Sequence, residues 1–159
     1  MIIAEDDLRG PEIAALLGAH LELMRATSPP ESVHALDLDS LRAPEITFWT
    51  LYDDGQLLGC GALREIDGRH GEIKSMHTAA AARGRGVARR LLQHIIAEAK
   101  SRGYRHLSLE TGSPESFAPA RALYQAFGFQ ACGPFADYVF DPFSVYMTLE
   151  LESCDRDPL

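Results

Sequence analysis

Apolar positions along the chain alternate between two periods. Ile13, Leu16, Leu17, His20, Leu21 and Met24 recur three and four residues apart, the spacing of a helix with one buried face, and Pro11 sits where a proline suits the first helical turn. Ser28-Pro29-Pro30 ends that helix, the prolines keep regular structure out to about Val33, and Leu36 to Leu41 reads as a short helix or turn. Ile2 and Ile3 ahead of it read as a short strand. Ile46 to Tyr52 and Leu57 to Ile66 are extended runs rich in β-branched and aromatic residues, and Asp53-Asp54-Gly55-Gln56 between them makes a β-hairpin. A second turn, Asp67 to Gly71, precedes the strand Glu72 to Thr78, so three antiparallel strands stand in series.

The helical period then returns. Val87, Leu91, Leu92, Ile95 and Ala99 form an apolar stripe that starts near Gly86, and Gly103 caps it after Lys100 and Arg102. His106 to Thr111 reads as a strand, Ser116 to Phe127 as a helix, Gly128-Phe129 opens a strand to about Cys132, and Val145 to Leu151 alternates as the last strand. Hairpins mixed with crossover helices predict an α+β fold, with about four helices packed around one mixed sheet of about seven strands. Residues 1–152 are expected to form a single domain and 153–159 a polar tail.

Composition narrows the function. The chain has 159 residues and a formal charge of −8, which argues against nucleic acid as a partner because phosphate backbones are met by basic faces. No signal-peptide pattern or long apolar run opens the chain, so no membrane is expected. Cys60, Cys132 and Cys154 fall at no metal-ligand spacing and suit a reducing cytoplasm, so no metal is expected either.

Against that acidic background, Ala82-Arg83-Gly84-Arg85-Gly86-Val87-Ala88-Arg89-Arg90 gathers four arginines and two glycines at a helix start. The aligned peptide dipoles already place roughly +0.5 of a charge there, so arginines oppose the dipole unless an anion joins them. Glycines between a strand end and a helix start leave amides free and let a ligand approach the backbone, which makes an anion site. The segment has neither the order of a nucleoside-triphosphate loop nor that of a dinucleotide fingerprint.

Arg83, Gly86 and Ala88 match R/Q-x-x-G-x-G/A, and Ala120-Arg121-Ala122-Leu123-Tyr124-Gln125-Ala126-Phe127-Gly128-Phe129 is similar to A-x-x-L-Y-x-x-x-G-F. In this order, with a strand between them, the two motifs resemble the general-control-related N-acetyltransferase (GNAT) superfamily, and within it a small bacterial subgroup. The resemblance covers nearly the whole chain. It implies a mostly antiparallel sheet and acetyl-coenzyme A as acetyl donor, its diphosphate held by Arg83, Gly84, Arg85, Gly86, Val87 and Ala88 and its pantetheine arm by Met76, His77 and Thr78.

The same resemblance implies direct acetyl transfer to a small-molecule primary amine, the alternatives being a protein lysine or N-terminus, or an acyl-coenzyme A-binding module without turnover. Glu72, eleven residues before Arg83, stands where histone-acetylating relatives carry a general base, and Tyr124 matches the tyrosine that protonates the departing thiolate. A family asparagine seven positions before that tyrosine is Phe117 here, with Ser113 or Ser116 as its replacement on the cofactor arm. Ser32, His34, Glu110, Thr111 and Asp141 are the candidates for the acceptor side. Family members often form homodimers.

Overall fold

The computed structural model describes residues 1–30 and 38–151. Its elements run β1 (Ile2–Glu5), α1 (Pro11–Thr27), α2 (Leu38–Leu41), β2 (Ile46–Asp53), β3 (Gln56–Asp67), β4 (His70–Thr78), α3 (Val87–Ser101), β5 (His106–Gly112), α4 (Ala118–Ala126), β6 (Gln130–Cys132) and β7 (Ser144–Glu150). All seven strands form one sheet in the order β1-β2-β3-β4-β5-β7-β6. Every pairing is antiparallel except β4 with β5, which is parallel because α3 carries the chain across between them.

Local chemistry sets most boundaries where the sequence puts them. Asp54 and Gly55 both take positive φ (49° and 74°), the primed turn that matches strand twist and closes the β2–β3 hairpin. Two elements differ from expectation. The helix predicted over Ser116 to Phe127 divides into a 3₁₀ turn, Glu115–Phe117, and α4, because Pro119 fits only the first turn of an α-helix. The penultimate strand shrinks to Gln130–Cys132, since Phe127, Gly128 and Phe129 are spent closing the end of α4 through amides bonded to Leu123, Tyr124 and Gln125.

Alternation along the strands separates two faces. Trp49, Leu51, Leu63, Ile73, Leu107, Leu109 and Met147 are buried with Leu91, Leu92, Ile95 and Ala99 of α3. On the other face, Ile13, Leu16 and Leu17 of α1 cover Phe48, Cys60 and Ala62. Fully burying each such aliphatic chain stabilises by about 1.5–3 kcal/mol before chain entropy is subtracted, so the stripe of α3 is a main anchor of the fold. The spacing of α3 to the sheet is tight: a Cβ on Gly59 would lie 2.6 Å from Cγ1 of Val87.

The second face changes character toward β5 and β7. Strand register places Arg64, Glu72, Lys74, Ser108, Glu110, Tyr146 and Thr148 there, and the segment between β6 and β7 packs over them in place of a helix. That half of the sheet is polar, and it borders the site.

Candidate active site

The site originates in the parallel pair. β4 and β5 are registered from His70↔His106 to Ile73↔Leu109 and no further, so Lys74–Thr78 and Glu110–Gly112 diverge. Just past the split, Ser75 takes φ +56° and the β3 register slips between Cys60 and Ala62, a bulge that bends β4 away from β5. The amide of Ala79 bonds to Leu58 O on β3. By alternation the amides of Met76 and Thr78 therefore face the opened side, unpaired by any strand.

A cavity of about 110 Å³ passes through this opening. α1 contributes His20 and Met24 from one side of the sheet; α4 and the turn before it contribute Tyr124, Ala120 and Phe117 from the other. Glu72, Lys74, Ser75, Met76, Glu110, Thr111 and Tyr138 complete the wall. The structure thus brings Glu72, Met76, Glu110, Thr111 and Tyr124 together. Ser32 and His34 lie outside the described residues.

Glu72 is 1% exposed, which removes the simplest reading of it as a solvated strand residue. Its Oε1 accepts from Nη1 of Arg64 at 3.2 Å, and its Oε2 accepts from Nζ of Lys74 at 3.1 Å and from the Tyr138 hydroxyl at 2.6 Å. Lys74 also donates to the Tyr138 oxygen at 3.0 Å. Two cations and a phenol therefore hold one carboxylate, the arrangement that lets a buried charge persist.

Glu110 is placed otherwise. Among the described residues it receives one hydrogen bond, from the Ser144 hydroxyl at 2.7 Å, and burial raises its pKa to about 7 against the opposing pull of Ser144 and Lys74. A carboxyl that titrates near neutrality beside a cavity suits proton transfer. Tyr124 is 7% exposed, packs edge-on against Phe129, and is pushed above the usual tyrosine range by burial and then by Glu110, so it keeps its proton.

His77 lies on the opened strand, and its Nδ1 is 3.0 Å from Nδ1 of His20. Burial, His20 and Arg83 lower its pKa to about 4, and burial also lowers His20, so both imidazoles are neutral near pH 7. Cys60 is sealed in the core, and burial raises its thiol to about 12, unsuited to nucleophilic work.

The glycine loop is formed as a cradle. Gly84 and Gly86 take φ +80° and +79°, Gly86 precedes the first residue of α3, and a Cβ at either would meet only open space. Their requirement is conformational, therefore, and Gly86 leads into a helix N-terminus that has no side-chain cap, which leaves its first amides for an anion. Arg85 turns away to pair with Asp53 at 2.8 Å, and Arg89 stacks on Phe127. Among the described residues, Arg83 and Arg90 have no carboxylate partner.

Three expected contacts are otherwise engaged or displaced. Ser113 donates to Pro142 O at 2.7 Å, Ser116 is exposed within the 3₁₀ turn, and Asp141 accepts from the Phe143 amide to shape the β6–β7 segment. The residues missed in the sequence are Arg64, Lys74, Tyr138 and His20. Glu72 and Lys74 do share a strand face at i and i+2, which is a readable signal, whereas the pairing of Tyr138 with Glu72, 66 residues apart, carried none.

Known proteins agree with this geometry. Residues 13–129 match the model of the acetyltransferase (GNAT) family. N-acetyltransferase YsnE of Bacillus subtilis is 59% identical over 95% of this chain and all of its own, and N-acetyltransferase YedL of Escherichia coli is 46% identical over 99% and 98%. A solved Klebsiella pneumoniae chain assigned as an acyl-CoA N-acyltransferase superimposes with a TM-score of 0.77 at 28% identity, covering 95% of this chain and 97% of that one. A parallel pair split beside a glycine cradle, in a chain this similar to those relatives, belongs to the acetyltransferase (GNAT) family, and the protein is an N-acetyltransferase.

Proposed function

We propose that the chain transfers acetyl from acetyl-coenzyme A directly to the primary amine of a small molecule, with Glu110 as general base. The observation that carries this reading is the cavity at the β4–β5 split, which Glu110 of β5 and Tyr124 of α4 both line. Its narrowness, with His20 and Met24 of α1 on one side and Tyr138 of the β6–β7 segment on another, favours a small acceptor over a protein chain. The donor's thioester supplies the electrophilic carbonyl. The cradle at Gly84–Ala88 and the arginine Arg83 suit its diphosphate, and the amides of Met76 and Thr78 suit its pantetheine arm and thioester oxygen.

Glu110 takes a proton from the acceptor ammonium, and the freed nitrogen attacks the thioester carbon. The C–S bond then breaks. A phenol whose pKa exceeds that of a thiol, ordinarily near 8.5, does not hand over its proton fully. Tyr124 accordingly donates a hydrogen bond that stabilises the developing thiolate, the attacking nitrogen gives its second proton to that thiolate as the amide forms, and the proton on Glu110 is returned to solvent. Glu72, which position alone marks as the base, has both oxygens occupied and acts as the anchor of Lys74 and Tyr138.

The test is thiol release from acetyl-coenzyme A with a panel of small amines set against lysine and N-terminal peptides. Turnover confined to small amines supports the reading. Turnover confined to peptides would overturn the acceptor, and donor binding without release by any acceptor would overturn the transfer itself.

A further inference from the structure

We propose that the acceptor is an amine that also bears a carboxylate, an amino acid in the chemical sense, and that Lys74 is the residue that reads the carboxylate. The proposal rests on the amine-acetylating reading above and specifies its substrate.

Lys74 is nearly enclosed, its side chain 9% exposed, yet it borders the cavity. An ammonium has three hydrogens to donate. Among the described residues two are used, toward Glu72 Oε2 and the Tyr138 oxygen. Among those residues the third has no acceptor. Glu72 cannot neutralise Lys74 alone, because its other oxygen is bound to Arg64, so one carboxylate serves two cations.

Among the described residues the remaining acids nearby are Glu110 and Asp141. Asp141 is turned to the Phe143 amide, and Glu110 gives up its charge when it takes the amine's proton. At that moment the enclosed group carries excess positive charge, which an acceptor carboxylate offsets. Position supports the same conclusion. Lys74 and Glu110 follow directly on the last registered pair, Ile73↔Leu109, on the same face of the sheet, so they stand opposite each other across the mouth of the split. An ammonium facing Glu110 and a carboxylate facing Lys74 would engage the two ends of a short zwitterion.

The experiment uses matched acceptors: amino acids, their carboxamides and their decarboxylated amines, each followed by thiol release, with the wild type, Lys74→Arg and Lys74→Met. A charge-assisted hydrogen bond corresponds to roughly 10- to 100-fold in kcat/KM. The expected result is a preference of that size for at least one acid over its own amide and amine, kept by Lys74→Arg and reduced to within about twofold by Lys74→Met. Acetyl-coenzyme A binding to each variant reports that it is folded. Amides or amines that serve equally well, or a preference that survives Lys74→Met, would overturn the proposal while leaving amine acetylation standing. Absence of release from all three acceptor sets, with the donor bound, would overturn both.

Discussion

Tyr138 donates a 2.6 Å hydrogen bond to Glu72, a residue 66 positions earlier and 1% exposed. Through that bond the segment between β6 and β7 is fastened to the centre of the sheet, and one wall of the cavity depends on it. Tyr138→Phe should raise the acceptor KM several-fold, leave donor affinity nearly unchanged, and cost about 1–2 kcal/mol of stability. Steady-state kinetics beside urea denaturation measure both. An unaltered KM would show that the wall holds without the bond.

Removing the anchor has a larger effect than removing its tether. Glu72→Ala leaves Lys74 and Arg64 facing each other without their shared carboxylate, and an uncompensated buried charge destabilises by about 3–5 kcal/mol. The melting temperature should fall far more in this variant than in Tyr138→Phe. A drop no greater than that of the tyrosine variant would mean that solvent already screens the pair.

Glu110 links activity to pH. As a base with a pKa of about 7, it should make kcat/KM rise with pH through neutrality and level off above it, and Glu110→Gln should lose that limb along with roughly 100-fold or more of kcat. A variant that keeps the neutral inflection would transfer the role to another group.

The same carboxyl sets a slope in stability. In the unfolded chain it titrates near 4.5, and in the folded one near 7. Below pH 4.5 both states hold the proton and nothing is lost. Between those values the unfolded chain ionises first, so stability falls as pH rises, and above pH 7 the deficit stays constant at about 3 kcal/mol. Glu110→Gln should thus be more stable than the wild type at pH 8 and equal to it at pH 4, which denaturation at the two values measures.

The cradle can be tested without touching any arginine. Gly86→Ala meets no atom but holds alanine at φ +79°, which costs about 1–2 kcal/mol and tilts the first amides of α3. Acetyl-coenzyme A affinity by calorimetry should fall about tenfold or more. An unaffected affinity would show that the anion is held elsewhere.

What the sequence made legible was local. The hairpin turn at Asp54-Gly55, the stripe of α3 and the glycines at 84 and 86 each declare themselves within a few residues, because turn geometry and helical period are short-range properties. Tyr124 was marked by its motif and does border the cavity. Lys74, by contrast, reads as a solvated strand lysine until β3, β5 and the β6–β7 segment close around it, and His20 reads as one more position on an apolar stripe until His77 meets it. The proton affinity of Glu110 comes from burial, which no neighbour in sequence reports. Pro119 marks the division of the predicted helix, since a proline there fits only the first turn of α4.

Ser75 also constrains how this stretch can vary. Because the extra residue sits in the left-handed region, Lys74 and His77, three apart, pair with Ala62 and Cys60 on a single face of the sheet. Deleting one codon there would restore strict alternation and carry His77 through to the side of α3, away from His20, while everything upstream stayed in place. Substitutions between Lys74 and Thr78 change one side chain at a time; a change in length reassigns all those that follow. Variation in this segment should therefore proceed by replacement, with insertions and deletions confined to the turns at either end.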